Sequence, residues 1–169
     1  MERPFDVLWT PWRMEYIKGV VKGKAEGCLF CEVQGMDDEE ALIVYRGRYN
    51  FVMLNAFPYN TGHVMIVPYR HVSSIEQLND NELLEAMRIT KRLMRALRKL
   101  YSPDGFNLGW NVGRAAGAGI PGHVHLHLVP RWVGDANFML TIGHTKVLPE
   151  ALNETWRALR EELSKQDRV

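Results

Sequence analysis

From Gly122 the chain runs His123, Val124, His125, Leu126, His127, Leu128, Val129, Pro130, Arg131 and Trp132. Imidazole and apolar side chains alternate with a period of two, which an extended strand converts into two distinct faces. The spacing predicts a half-buried strand with three imidazoles on one face and Val124, Leu126 and Leu128 packed on the other. Pro130 has no N–H to give to a ladder and is expected to end it. A single histidine on a sheet face is ordinarily a packed or solvated residue. Three in strict alternation, half of the six in the chain, point to chemistry, because imidazole moves protons, attacks electrophiles and binds metals near neutral pH.

The remaining sequence sets the frame for that strand. Its 169 residues fit one domain, 1–169, with an N-terminal arm at 1–27, a core at 28–132 and a C-terminal helix at 149–165. With 21 basic against 20 acidic residues the net charge is +1, so no global field argues for nucleic acid or a membrane surface. No apolar run approaches the roughly 20 residues of a membrane span. Charges and Pro4 stand where a signal peptide needs an apolar core, so the expected location is the cytoplasm.

Residues 7–18 predict a short helix with Thr10 as N-cap and Pro11 at its first position. Trp9 and Trp12 mark that arm as something that docks, and Gly19 to Gly27 reads as a loop. Leu42 to Tyr45, Tyr49 to Leu54 and His63 to Pro68 read as strands, the last two as an antiparallel hairpin across a turn-rich loop. Asn79 and Glu82 resemble a capping box for a long helix to Leu100. Leu83, Met87, Thr90, Met94 and Leu97 form its apolar stripe, widened by Leu84, Leu93 and Leu100. The Lys91 to Lys99 basic cluster on that helix reads as a solvated face. Gly105 to Val112 is a fourth strand and the histidine strand a fifth. Leu152, Trp156, Leu159 and Leu163 give the final helix one apolar face. The expectation is an α+β domain built on a mainly antiparallel five-stranded sheet.

Gly113, Gly117, Gly119 and Gly122 precede the histidine strand and allow backbone amides to converge on an anion. The segment has no P-loop ending and leads into a strand. Arg114 either adds charge there or points to solvent. Cys28 and Cys31 form a CxxC pair, which in the cytosol is a redox motif or half of a metal site. A polar, acidic run follows it, where a redox motif wants a helix, and this favours metal. Two chemistries compete at the histidines themselves. They could bind a catalytic zinc, or a neutral imidazole could attack phosphorus and form a phosphoramidate. A nucleotide-binding module without turnover is the third reading.

The run from His123 to Val129 fits the pattern His-φ-His-φ-His-φ-φ, with φ apolar, and resembles the histidine-triad family. Gly62 to Pro68 is similar to that family's second signature. Leu8 to Met14 and Pro130 to Phe138 resemble its bacterial branch related to diadenosine tetraphosphate phosphorylases and hydrolases. The resemblance implies a histidine-triad fold, a homodimer whose two sheets join, and cleavage of dinucleoside polyphosphates at the α-phosphorus by hydrolysis or phosphorolysis. It assigns His125 as nucleophile, His127 as the group that contacts the α-phosphate and helps the leaving group, and His63 as the residue that orients His125. No catalytic cofactor is expected.

The same resemblance places Asn55 on the ribose and Asn111 near the phosphates. Relatives carry a serine where Gly119 and Ile120 stand here, so amides of Gly117 to Ile120 would substitute for its hydroxyl. Bacterial members that hold a structural zinc imply Cys28, Cys31, His71 and His123 as its ligands. An apolar cleft with residues such as Val52 or Phe57 would accept a purine face. His144 matches no site position.

Overall fold

Two of the strands have no exposed face. The computed structural model describes residues 27–142, 145 and 147–166. Its strands are Ile43–Arg46 (β1), Asn50–Leu54 (β2), Val64–Pro68 (β3), Gly105–Trp110 (β4) and Leu126–Arg131 (β5). Every residue of β2 and β3 is buried, because both faces of the sheet are covered. The order is β1-β2-β3-β5-β4 and every pairing is antiparallel. The histidine strand β5 is thus internal, and β4 is an edge. The predicted arm helix, Trp9, Trp12 and His144 lie outside the described residues.

The helices are Leu29–Val33 (α1), Asp80–Tyr101 (α2), Phe138–Thr141 (α3) and Leu152–Gln166 (α4). On one face of the sheet, Val52, Leu54, Val64, Ile66, Leu126 and Leu128 pack against Ala86, Ile89, Leu93 and Leu97 of α2 and Trp156, Leu159 and Leu163 of α4. On the other, Phe51, Met53, Met65 and Val67 are covered by Phe30, Val33 and Ala41. Side-chain alternation decides this partition: Val64, Ile66, Leu126 and Leu128 meet the long helices, and Met65 and Val67 of β3 meet the α1 segment.

The α+β expectation, with one long and one C-terminal helix, is what the fold contains. Asn79 caps α2 through its side chain on the Glu82 amide, completing the capping box. Three details differ from the sequence expectation. The buried stripe of α2 runs through Ala86, Ile89, Thr90, Leu93, Ala96 and Leu97, while Leu84 and Met87 are exposed. Two alanines let that face approach the sheet closely, a feature invisible to a count of large apolar residues. A one-turn helix, α1, begins directly after Cys28, where a polar, acidic run is expected in place of a helix. Finally, β5 continues through Pro130 to Arg131. On the β4 side the ladder runs its full length, whereas β3 pairs only as far as Leu128. The Pro130 carbonyl accepts from Asn60 Nδ2 at 2.9 Å on that vacated side, so the missing N–H leaves no gap in the ladder.

Candidate active site

The imidazoles do not begin on the ladder. His123 and His125 precede Leu126, the first residue of β5, and Val124 instead donates to the Val72 carbonyl at 2.7 Å. This bond draws the segment after His71 against the triad. His127 sits on β5 opposite Met65 of β3 and Gly109 of β4. Among the described residues, a Cβ added to Gly109 would meet no atom within 4 Å, so none of them fills the β4 side of His127.

Each imidazole has a different partner. His125 Nδ1 lies 2.9 Å from the His123 carbonyl. A carbonyl only accepts, so the proton sits on Nδ1 and Nε2 carries the lone pair. Burial holds this imidazole below its ordinary pKa, against the pull of the carbonyl, which favours the neutral form. The second pair is ordered from the backbone. Tyr59 N–H donates to His63 Nδ1 at 3.1 Å, which puts the His63 proton on Nε2. His63 Nε2 is 3.0 Å from His127 Nδ1, so His63 donates and the proton of a neutral His127 lies on Nε2. The result is a lone pair on His125 and an N–H on His127, with the two rings 4.7 Å apart.

This corrects one expectation. His63 orients His127, and the group that holds His125 is the carbonyl of His123. The reason is register: His127 pairs with Met65 two residues from His63, so the two odd-numbered side chains meet on one face.

His123 turns the other way. Its Nε2–H donates to the Pro68 carbonyl at 2.9 Å, leaving the Nδ1 lone pair 3.3 Å from Cys28 Sγ and 3.7 Å from Cys31 Sγ. His71 Nδ1 is 3.4 Å from Cys31 Sγ. One ligand atom from each of Cys28, Cys31, His71 and His123 lies within 4.8 Å of the others. Burial and the adjacent Cys28 push the Cys31 thiol up. Two sulfurs and two imidazole nitrogens, one of them aligned by a carbonyl on its far nitrogen, suit a tetrahedral zinc. The four candidate ligands are therefore brought together. The triad is not a trident, because its nitrogens aim at a thiol pair, a backbone carbonyl and another histidine.

The expected substrate-binding residues are placed less tightly. Asn55, just after β2, accepts from the Phe57 amide at 2.9 Å and closes the turn. Asn111 follows β4 and is half-buried. The glycine loop spends part of its amide supply internally: Gly117 donates to Arg114 O at 3.0 Å and Ala118 to Gly113 O at 3.4 Å. Gly117 adopts φ +83° to close a 3-10 turn over Arg114–Ala116, and Ile120 packs beside the Phe30 cluster. The expected convergence of amides from Gly117 to Ile120 is correspondingly reduced. Val52 lies in the helix-side core, fully buried, and so lines no cleft; Phe57 is exposed.

Three contributors carry no obvious sequence signal. Phe30, between the cysteines, packs against the rings of His123 at 5.3 Å and His125 at 4.8 Å. Tyr59 covers His63 with ring centroids 4.7 Å apart. Gly109 supplies the gap beside His127. A large apolar residue inside a CxxC was the one available hint, for Phe30.

Comparison with known proteins agrees with the motif and the fold. Residues 37–133 match the HIT domain. The chain is 44% identical over 165 residues to the AP-4-A phosphorylase of Mycobacterium tuberculosis, spanning 94% of this chain and 85% of that protein. It is 30% identical over 93 residues to the asymmetrical bis(5'-nucleosyl)-tetraphosphatase of Schizosaccharomyces pombe, spanning 55% of this chain and 50% of that one. A crystal structure of a Zn-bound histidine triad family protein from Mycobacterium smegmatis superposes with a TM-score of 0.68 at 28% identity, over 84% of this chain and 96% of that one. Motif, fold and kinship coincide on the same strand: the chain belongs to the HIT, or histidine-triad, family.

Proposed function

We propose that the chain is a nucleotidyl transferase that cleaves dinucleoside polyphosphates through a nucleotidyl-His125 intermediate. The observation that carries this reading is the opposite protonation of two adjacent rings, a lone pair on His125 Nε2 and an N–H on His127 Nε2. In the first step Nε2 of His125 attacks the α-phosphorus. A P–N bond forms, the P–O bond to the leaving nucleotide breaks, and the departing phosphate oxygen leaves as an anion that accepts a hydrogen bond from His127 Nε2–H. In the second, an acceptor oxygen attacks phosphorus, the P–N bond breaks with its electron pair returning to His125 Nε2, and any proton carried by the acceptor is released to solvent. Likeness to the mycobacterial AP-4-A phosphorylase supports inorganic phosphate as acceptor. Diadenosine tetraphosphate and phosphate would then give ADP and ATP, whereas water would give AMP and ATP. Product chromatography with and without phosphate tests this. ADP that depends on phosphate supports the reading, and AMP alone in phosphate buffer contradicts it.

Asn55 and Asn111 are assigned to the substrate's ribose and phosphate groups, with Gly119 and Ile120 supplying amides alongside. Cys28, Cys31, His71 and His123 are assigned to a structural zinc, supported by their four convergent donor atoms and by the Zn-bound mycobacterial relative. When bound, zinc would cross-link the α1 segment to the strand entry. Stoichiometric zinc in the purified protein, lost in Cys28→Ser, checks the assignment. A homodimer is proposed across β4, an edge strand with Leu108 42% exposed and Val112, just beyond it, 40% exposed. Light scattering at the mass of a single chain would refute it.

A further inference from the structure

His123 belongs to two constellations at once. Its Nδ1 faces the thiols of Cys28 and Cys31, and its backbone carbonyl holds the Nδ1 proton of His125. Its remaining nitrogen is fastened to Pro68 O at 2.9 Å, so the ring cannot turn without breaking that bond. A second, independent link runs through Phe30. It is carried on the turn between the two cysteines, is 1% exposed, and packs on the rings of both His123 and His125. Cys31 and Glu32 amides close on the Cys28 carbonyl at 2.9 and 3.0 Å, so moving either thiol moves this turn and the phenyl ring with it.

We infer that the Cys28–Cys31–His71–His123 cluster sets the position and tautomer of His125, with His123 and Phe30 as the positioning residues that transmit its state. The inference rests on the assignment of His125 as nucleophile and deepens it: the cluster governs the reaction as well as the fold. When the four donors are drawn onto one ion, the His123 ring and carbonyl are fixed, α1 is closed, and Phe30 presses His125 onto that carbonyl. With the cluster broken, both restraints slacken. His125 then samples the Nε2–H tautomer, in which the attacking lone pair is blocked. Rate falls because the fraction of correctly prepared nucleophile falls, while substrate contacts made elsewhere persist.

The test reads His125 directly and needs no substrate. Imidazole nitrogen–proton correlation spectra of the 15N-labelled full chain are recorded zinc-loaded, after chelation, and in Cys31→Ser, with circular dichroism confirming the fold in each. The expected result is one Nδ1–H pattern for His125 in the loaded protein, replaced by a tautomer mixture in the other two. Phe30→Leu should retain the cobalt(II) absorption of a filled site and still show the mixture. In turnover, kcat should fall in Cys31→Ser and Phe30→Leu in proportion to the Nδ1–H fraction read from the spectra, roughly two- to tenfold. KM should stay within about twofold. A His125 pattern unchanged by metal removal in a folded protein overturns the coupling. An unchanged pattern in Phe30→Leu overturns the ring's share in it. Either can occur while His125-dependent nucleotidyl transfer stands, and wild-type turnover by His125→Ala would instead sink the assignment of the nucleophile.

Discussion

His63 reaches the chemistry only through His127. Tyr59 N–H fixes its tautomer at 3.1 Å and His63 Nε2–H donates to His127 Nδ1 at 3.0 Å, so replacing it removes the donor that keeps the His127 proton on Nε2. Loss of one positioned donor to an oxygen that develops charge typically costs about 10²–10³ in rate, and His63→Ala is expected to lose about 10²-fold in kcat on diadenosine tetraphosphate. A substrate whose leaving group departs without help from such a hydrogen bond, such as a nitrophenyl ester of AMP, should recover most of that loss. Equal losses on both substrates would show that His63 does something else. Gly109 makes a steric claim at the same scale. Since a Cβ there meets nothing within 4 Å among the described residues, Gly109→Val should fold normally, yet fill the space beside His127 and raise KM several-fold. An unchanged KM with full activity would place the substrate elsewhere.

At the scale of elements, one carboxylate ties the long helix to the first hairpin. Glu85 of α2 accepts from the amides of Arg48, Tyr49 and Asn50, each at 2.7 Å, and from Asn50 Nδ2 at 2.9 Å. Gly47 is required beside it: an added Cβ would lie 2.9 Å from Asn50 O and 3.1 Å from the Glu85 carboxylate. Glu85→Ala strands several amides at once and is expected to cost about 3 kcal/mol by chemical denaturation, since each buried unsatisfied donor costs roughly 1–3 kcal/mol. Less than about 0.5 kcal/mol would mean that water replaces the carboxylate at no net expense. None of this is readable from spacing, because Glu85 looks like one more polar residue on a helix. The capping box of Asn79 and Glu82 was readable, because its signal is local. So were five strands and the C-terminal helix face, whose periods are short. The α2 stripe was misread around Met87 for the converse reason: which face a helix buries is settled by the partner surface, and here that surface accepts alanine.

Across the whole molecule, paired carboxylates set the response to acid. Hydrogen bonds from Arg70 hold Glu82 below the usual carboxylate range, and those from Arg131 do the same for Asp135. Asp135 also receives Asn60 Nδ2 at 2.7 Å, so it fastens the loop before His63 to the end of β5. A folded-state pKa below the unfolded value stabilises the fold above the unfolded pKa, and that stability disappears as pH falls through the folded one. With unfolded values of about 3.9 for Asp and 4.3 for Glu, these pairs add a decline in Tm below about 4. It comes on top of a gentler loss that starts below about 6.5, where the unfolded chain protonates His125 before the folded one does. Asp135→Asn should already be destabilised at pH 7 and show a shallower acid decline; a decline identical to that of the parent would remove Asp135 from the account.

How much of the site was legible divides along the same lines. Alternation at His123, His125 and His127 placed them side by side, and resemblance to the family named roles for them. The four zinc-ligand candidates were also named before the fold, across as many as 95 residues between Cys28 and His123. What spacing could not carry was the direction of each ring nitrogen, because that depends on carbonyls and amides brought in by β3 and the loop after it. Thus the partner of His63 was misassigned, and Phe30 and Tyr59 were overlooked.

The central claim, that His125 Nε2 takes the nucleotidyl group, is tested most directly by trapping it. Enzyme in excess is mixed with diadenosine tetraphosphate labelled at the α-phosphorus, quenched in alkali to preserve a P–N bond, and mapped by peptide mass spectrometry. The account predicts one AMP group on the peptide carrying His123 to His127, localised to His125 and missing from His125→Ala. Label on any other residue, or unlabelled enzyme during normal turnover with His125→Ala active, would contradict it.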